Sequence, residues 1–365
     1  MRRIDRLFDI LRVALGASRI SFDDLSEEDW LSLYNQLGRQ SVLGMTFPVV
    51  AEPAVAGIPK ELYLKWFYQA ESVRALNQKH YALSRELTET FSAQGFRTVI
   101  LKGQANSRLY PDPFVRQTGD IDLWVEGGRE QVLGLLSRMG LLEKVLYSSH
   151  DVLIPKSVFG VDVEIHFDYI QDCSNPFANK RLRQVLSGEL SKSRLVPEGF
   201  CVPSNKFALL MQLSHIRKHF IGLGVGLRQL VDYYVLLRSV PTAERAEVSA
   251  LLKPLGLFNI AAAVMWILFE KLGLDSGYLL CPPDALRGQE LLNDIFADGN
   301  FGKFAERRRG SVYKWWLRNR LRAFRLLRFD FGEMFWYLIK YWASFPRLIP
   351  ERINALRRTK GALKN

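Results

Sequence analysis

Asp120 and Asp122 stand two residues apart in Gly119-Asp120-Ile121-Asp122, behind a stretch broken by Pro111 and Pro113. The run Ile121–Val125 reads as a strand, and residues i and i+2 of a strand project from one face. Two carboxylates on one face repel each other. A sheet accommodates them where cations or hydrogen bonds offset the charge, which a divalent metal does best. Metal-assisted chemistry is therefore the first expectation.

Several elements must position this pair. Upstream, Arg97–Leu101 reads as a short buried strand and Lys102-Gly103 as a tight turn. Gln104–Tyr110 then reads as a short helix whose N-terminal amides could hold a phosphate. Downstream, Val161–Tyr169 (VDVEIHFDY) alternates strictly, with Asp162, Glu164, His166 and Asp168 on one face and Val161, Val163, Ile165 and Phe167 on the other. Alone, this is a half-exposed strand with a solvated polar face. Beside the Asp pair, it supplies a third acid.

An apolar strand, a Gly turn, a spacer and Asp-apolar-Asp-apolar resemble the pattern of the polymerase-β-like nucleotidyltransferase superfamily. More closely, Leu101-Lys102-Gly103, Leu109-Tyr110-Pro111, Arg116 and Gly119-Asp120-Ile121-Asp122 resemble a family of uncharacterised bacterial nucleotidyltransferases. The chain departs from the superfamily pattern in having Lys102-Gly103-Gln104 where Gly-Gly or Gly-Ser is usual. The resemblance implies that Asp120, Asp122 and Glu164 hold Mg²⁺ or Mn²⁺ and carry catalysis, with His166 adjacent. Lys102, Gly103, Gln104 and Arg116 would border an NTP such as ATP, Lys as a point charge and Arg as a planar fork. Two ions about 3.5–4 Å apart would activate a hydroxyl and neutralise the triphosphate, while Glu164 takes the proton.

A second constellation lies in the helical stretch Phe207–Phe220, where His215 and His219 fall one turn apart with Lys218 beside them. Arg228 and Asp232 follow at i,i+4, a spacing that permits a helical ion pair. His-x-x-Lys-His followed by Leu-Arg-x-x-x-Asp extends the resemblance to about residues 95–240, and places Lys218 and Arg228 on the nucleotide side. Zinc at the two His lacks a further ligand in a local motif, so cleft lining or helix packing is the expected role.

The expected fold class is α+β: a small mixed sheet of nucleotidyltransferase type with helices on one face, flanked by helical N- and C-terminal regions. Boundaries fall at 1–94 (helical), 95–200 (nucleotidyltransferase core), 201–300 (helical) and 301–365 (basic and aromatic). Amphipathic Ile4–Leu15, Ser26–Leu37 with a capping sequence, and a long helix over Glu61–Ala93 fill the first region. The implied reaction moves a nucleoside monophosphate from an NTP to a hydroxyl acceptor, a sugar or glycan precursor being one class. A protein-modifying or antitoxin-like member and a non-catalytic nucleotide-binding protein are the alternatives.

Three widely spaced cysteines, Cys173, Cys201 and Cys281, form no metal pattern and suggest free thiols in a reducing, cytoplasmic setting. The N-terminus carries Asp5, Asp9 and Arg12 before any sustained apolar run, against a cleaved signal peptide. From Phe301 onward there are 17 Lys and Arg against 4 Asp and Glu, a net +13, so the preceding residues sum to −1. This tail also holds Trp315, Trp316, Trp336 and Trp342, and Arg318, Arg322 and Arg325 fall on one helical face. Packing of Trp and Phe against the body is one reading. Peripheral contact with the inner face of a membrane is another, and nucleic acid a third without a recognised module. The apolar run Met334–Ile339 meets Lys340, well short of the ~20 residues a spanning helix needs.

Overall fold

The computed structural model describes residues 2–22, 24–52, 55, 57–141, 146–147, 151–168, 173–222, 224–300, 320–340 and 342. Four helices open the chain: α1 (Arg2–Ala14), α2 (Glu27–Arg39), α3 (Leu43–Val50) and α4 (Lys60–Ala93). α1, α2 and α4 match the spacing-based expectations to within two residues, whereas α3, which contains Pro48, is not among them. α2 starts at Ser26, whose hydroxyl accepts the Asp29 amide while Asp29 accepts the Ser26 amide in return, a reciprocal box that satisfies two end donors. In α4, buried Leu62, Trp66, Ala70, Val73, Asn77, His80, Ser84, Leu87 and Phe91 recur every three or four residues, so one stripe faces inward along all 34 residues.

The α/β part follows. Its elements are β1 (Thr98–Ile100), α5 (Gln104–Ser107), β2 (Ile121–Val125), α6 (Gly128–Arg138), β3 (Leu146–Tyr147), β4 (Asp151–Ile154), α7 (Lys156–Phe159) and β5 (Val163–His166). The sheet order is β1-β2-β5-β4-β3, with β2 and β5 parallel and every other pair antiparallel. β5 is thus central, between β2 and β4, and shorter than the alternating run that predicts it. Ile121, Leu123, Val125, Val163 and Ile165 point to one side. There they join Val132, Leu135 and Leu136 of α6 and Leu87 and Phe91 of α4 in an apolar core. That arrangement packs α4 and α6 on one face, while the other carries the polar positions beside Val99 and Trp124, which join the helical core; the architecture is the mixed α+β one the sequence implies.

Beyond the sheet come α8 (Pro176–Leu190), a two-stranded ribbon of β6 (Arg194–Leu195) and β7 (Cys201–Val202), and then α9 (Asn205–Ile221), α10 (Leu227–Ser239), α11 (Thr242–Leu251), α12 (Phe258–Trp266) and α13 (Ala285–Asp298). Residues 320–326 and 331–340 are helical as well. A second, larger core joins Leu7 and Leu11 of α1, Trp30 of α2 and Trp66 of α4 to Leu210, Val231 and Met334. α4 therefore belongs to both cores, its first half in the helical one and its last turns under the sheet. The three cysteines are free thiols. No helix among the described residues is long and apolar enough to cross a membrane.

Candidate active site

Strand alternation and register build the acidic wall. Because β2 and β5 run parallel, Asp122 lies opposite Glu164 and Trp124 opposite His166, all on the face turned away from the sheet core. His166 Nε2 is 3.1 Å from Asp122 Oδ1 and 3.6 Å from Glu164 Oε2. Lys102 Nζ, delivered by the turn after β1, is 2.9 Å from the same Asp122 oxygen. One ligand atom each from Asp122, Glu164 and His166 lies within 4.8 Å of the others. Asp120 just precedes β2 and borders the same cleft, outside this tight trio.

The charges respond to that crowding. Burial opposes ionisation of Asp122, yet the Lys102 charge and the His166 hydrogen bond outweigh it and hold the carboxyl well below its ordinary range. Glu164 is pushed up to about 7 by burial and by the negative charges of Asp122 and Asp120. Burial also works against the Lys102 ammonium, but Asp122 and Asp120 raise its proton affinity. A carboxyl raised by neighbouring anions is one whose ionised form lacks counter-charge. Two carboxylates and an imidazole fit Mn²⁺, and with added oxygen ligands Mg²⁺, so the donor set suits a hard divalent cation.

The facing wall is helical and mixes neutral groups with the charges of Arg228 and Asp232. α9 presents Gln212, His215 and Ile216 to the cleft and α10 presents Arg228, Gln229 and Asp232. His215 and His219 stack edge-on with ring centroids 4.2 Å apart. Burial, then Lys102 and neighbouring cations, keep both uncharged, His219 lowered to about 3 and His215 well below its ordinary value. Among the described residues, the His215 Nδ1 and Gln229 Nε2 atoms are buried without a hydrogen-bond partner. The Gln229 oxygen accepts the Gly226 amide at 2.8 Å, and the residue borders the cleft. Lys218 is exposed on the outer face of α9.

A family model described as an uncharacterised nucleotidyltransferase matches residues 26–273, two thirds of the chain, including every residue of both walls. The chain belongs to this nucleotidyltransferase family. No curated protein and no solved structure matches it. The matched span ends before the basic segment that begins at Phe301.

Within the nucleotidyltransferase core, the loop that delivers Asp120 is tied down from three sides. Arg116 Nε and Nη2 donate to the two oxygens of Asp232 at 2.7 and 2.8 Å, and Tyr110 OH donates to Asp232 at 2.8 Å. Arg228 Nη1 donates to the Gln117 carbonyl at 2.9 Å, and Gln104 Nε2 donates to Thr118 Oγ1 at 3.2 Å. From α4, Asn77 Nδ2 donates to the Phe114 and Arg116 carbonyls, and a His80 ring nitrogen lies 2.9 Å from the Gly119 carbonyl. Asn77 and His80 are completely buried positioning residues that sequence reasoning missed. Polar residues on the apolar stripe of α4 are the signal that could have found them.

Several expected residues take a different place from the one their type suggests. Asp232 engages Arg116, 116 positions away, besides standing one turn from Arg228. The Arg116 fork is accordingly engaged inside the protein, and Gln104 is fully buried. The expected helix Gln104–Tyr110 is the single turn of α5, and the amides of Ala105, Asn106 and Ser107 donate to the Lys102 and Gly103 carbonyls. Those amides do not point at a phosphate. Gly103 has φ +61° and borders the cleft, with an added Cβ 3.7 Å from the Asp120 carbonyl, a conformation that favours glycine.

Proposed function

We propose that the cleft transfers a nucleoside monophosphate from an NTP to a hydroxyl group. Acceptor oxygen and α-phosphorus form a bond, the α–β phosphoanhydride breaks, pyrophosphate leaves and the acceptor proton passes to Glu164. The observation that carries this reading is the convergence of Asp122, Glu164 and His166 within 4.8 Å on the cleft face of the sheet, in a chain of this family. Asp120, Asp122 and Glu164, with His166, would hold Mg²⁺ or Mn²⁺. When bound, such a cation neutralises the triphosphate and acidifies the hydroxyl. In the metal-free protein the Glu164 carboxyl is pushed up to about 7, and a bound cation would favour its ionised, proton-accepting form.

Lys102, Gly103 and Arg228 border the cleft and are assigned to the phosphates, with Lys218 contributing its charge from outside. Arg116 and Gln104 act by holding the 110–119 loop. The neutral groups of His215 and Gln229 suit an uncharged hydroxyl- or amide-bearing part of a substrate, since buried polar atoms left unpaired are costly. That favours a small cytoplasmic acceptor such as a sugar or glycan precursor over a protein-modifying or antitoxin-like role.

A second reading, nucleotide binding without turnover, draws on the Lys102 ammonium that already sits on Asp122 Oδ1. One experiment separates the two. The four NTPs are screened with Mg²⁺ and Mn²⁺ by thermal shift and by pyrophosphate release with pooled hydroxyl acceptors. Stabilisation with release supports transfer, stabilisation alone supports the binding protein. Neither effect with any NTP contradicts both.

A further inference from the structure

The C-terminal helical segments dock on the body with one face and leave an aromatic face uncovered. In 331–340, Glu333 and Met334 are buried and Tyr337 and Leu338 sit against the helical core. Glu333 accepts the Asn175 amide at 3.3 Å and pairs with Arg217 at 3.8 Å, and Lys340 Nζ donates to the Cys173 carbonyl at 3.1 Å. The opposite stripe follows spacings of four: Phe331, Phe335 and Ile339, exposed by 67, 45 and 43%; Trp342 beyond it carries the Arg320 guanidinium over its ring. The preceding helix repeats the pattern, with Ala323 and Leu326 buried and Leu321 and Phe324 outward.

Solvent is a poor environment for a contiguous stripe of this kind, and charge identifies what covers it. The segment from Phe301 onward carries +13 while the rest of the chain carries −1. Two copies meeting through this face would bring two such segments together against their repulsion, whereas an anionic surface is attracted by both the charge and the aromatic rings. Arg325 pairs with Asp294 at 2.8 Å and Glu290 at 3.1 Å, and Arg322 with Asp294, so the pair lock the helix to α13. The expected basic face of Arg318, Arg322 and Arg325 is thus in part a docking face; Arg318, Trp315 and Trp316 lie outside the described residues.

We propose that the stripe of Phe331, Phe335 and Ile339 enters the headgroup layer of a membrane rich in anionic lipid, drawn there by the basic C-terminal segment. This inference goes beyond the nucleotidyl-transfer reading and does not depend on it. The test is flotation of the full chain with phosphatidylglycerol–phosphatidylcholine vesicles and with phosphatidylcholine alone, at low and high salt. A triple variant, Phe331→Ser with Phe335→Ser and Ile339→Ser, is run in parallel after its melting curve is checked. The wild-type chain should float with the anionic vesicles at low salt, release at high salt, and stay unbound to phosphatidylcholine. The triple variant should partition roughly tenfold or more weakly, given the apolar area withdrawn. Absence of flotation on anionic vesicles, equal flotation on both vesicle types, or unchanged flotation of the triple variant would overturn the proposal. So would concentration-dependent self-association without vesicles that the variant abolishes, which would assign the stripe to a second copy.

Discussion

The strand wall of the cleft gathers Asp122, Glu164, His166 and Lys102 around one shared carboxylate oxygen, whereas the helical wall closes Asp232 onto Arg116 of the loop and shows the cleft Arg228 beside neutral His215 and Gln229. Both walls are withdrawn from solvent, Glu164 and Lys102 less than the rest, but burial acts on them in opposite directions. It raises the Glu164 carboxyl and lowers the two histidines, so each wall resists gaining charge. The strand wall resists incompletely, because Asp122 stays ionised next to Lys102. A site with one fixed anion, one carboxyl awaiting counter-charge and an opposite side that offers Arg228 beside neutral His215 and Gln229 is arranged to take up a cation together with a substrate that is part anionic and part uncharged.

The largest expected effect lies on the strand wall. Glu164→Gln keeps the shape of the side chain and should lower metal-dependent turnover by about 10²–10⁴-fold, the usual contribution of a positioned base; steady-state pyrophosphate release reads it. The corresponding break on the helical wall is Asp232→Ala. It strands Arg116 in the interior and should cost about 3–5 kcal/mol of stability, as removal of one partner of a buried pair does. Denaturant melts measure it, and a variant as stable as wild type would show that the 110–119 loop does not rest on this pair.

Smaller, and of opposite sign on the two walls, are the pH effects in metal-free protein. Glu164 is raised to about 7, so the folded protein binds a proton that the unfolded chain has lost, and stability falls as pH rises from the ordinary glutamate value toward 7. Glu164→Gln should remove that slope and gain on the order of 1 kcal/mol at pH 8, discounted for a side chain about a third exposed. His215 is lowered, so the unfolded chain binds the extra proton and stability falls as pH drops below the ordinary histidine value of 6.5. His215→Gln should flatten that acid limb. Chelated melts from pH 5 to 8 would break the comparison if both variants shifted the same limb. The mildest change is Gly103→Ala, which should cost about 1 kcal/mol through its positive φ and weaken NTP binding only slightly.

Much of the strand wall was legible because strand alternation is a local rule. Glu164 and His166 share a face by spacing alone, and the Gly119-Asp120-Ile121-Asp122 motif marks the neighbouring strand. What spacing cannot give is register, and register is what sets Asp122 rather than Asp120 opposite Glu164. The helical wall was less legible. Arg228 and Asp232 at i,i+4 suggest a local pair, but the Asp232 carboxylate reaches Arg116, and only tertiary packing of α10 on the loop makes that geometry. Asn77 and His80 were hidden within a helix whose periodicity reads simply as core. The tail showed its charge in the sequence, yet its outward aromatic stripe emerges only once Glu333 and Lys340 fix which side faces the body.

The most direct measurement is Mn²⁺ binding to the purified full chain, followed by loss of the free-ion EPR signal, for wild type, Asp122→Asn, Glu164→Gln and Asp162→Asn. Asp162 lies on the strand approach to Glu164, but its Oδ1 accepts the Lys156 amide at 2.7 Å and it stands outside the ligand trio. The expected result is saturable binding by wild type that Asp122→Asn and Glu164→Gln abolish and Asp162→Asn retains, tightening as pH rises through about 7 while Glu164 loses its proton. Absence of saturable Mn²⁺ binding by wild type, or binding that survives unchanged in Asp122→Asn, would contradict the assignment of the strand wall as a divalent-cation site.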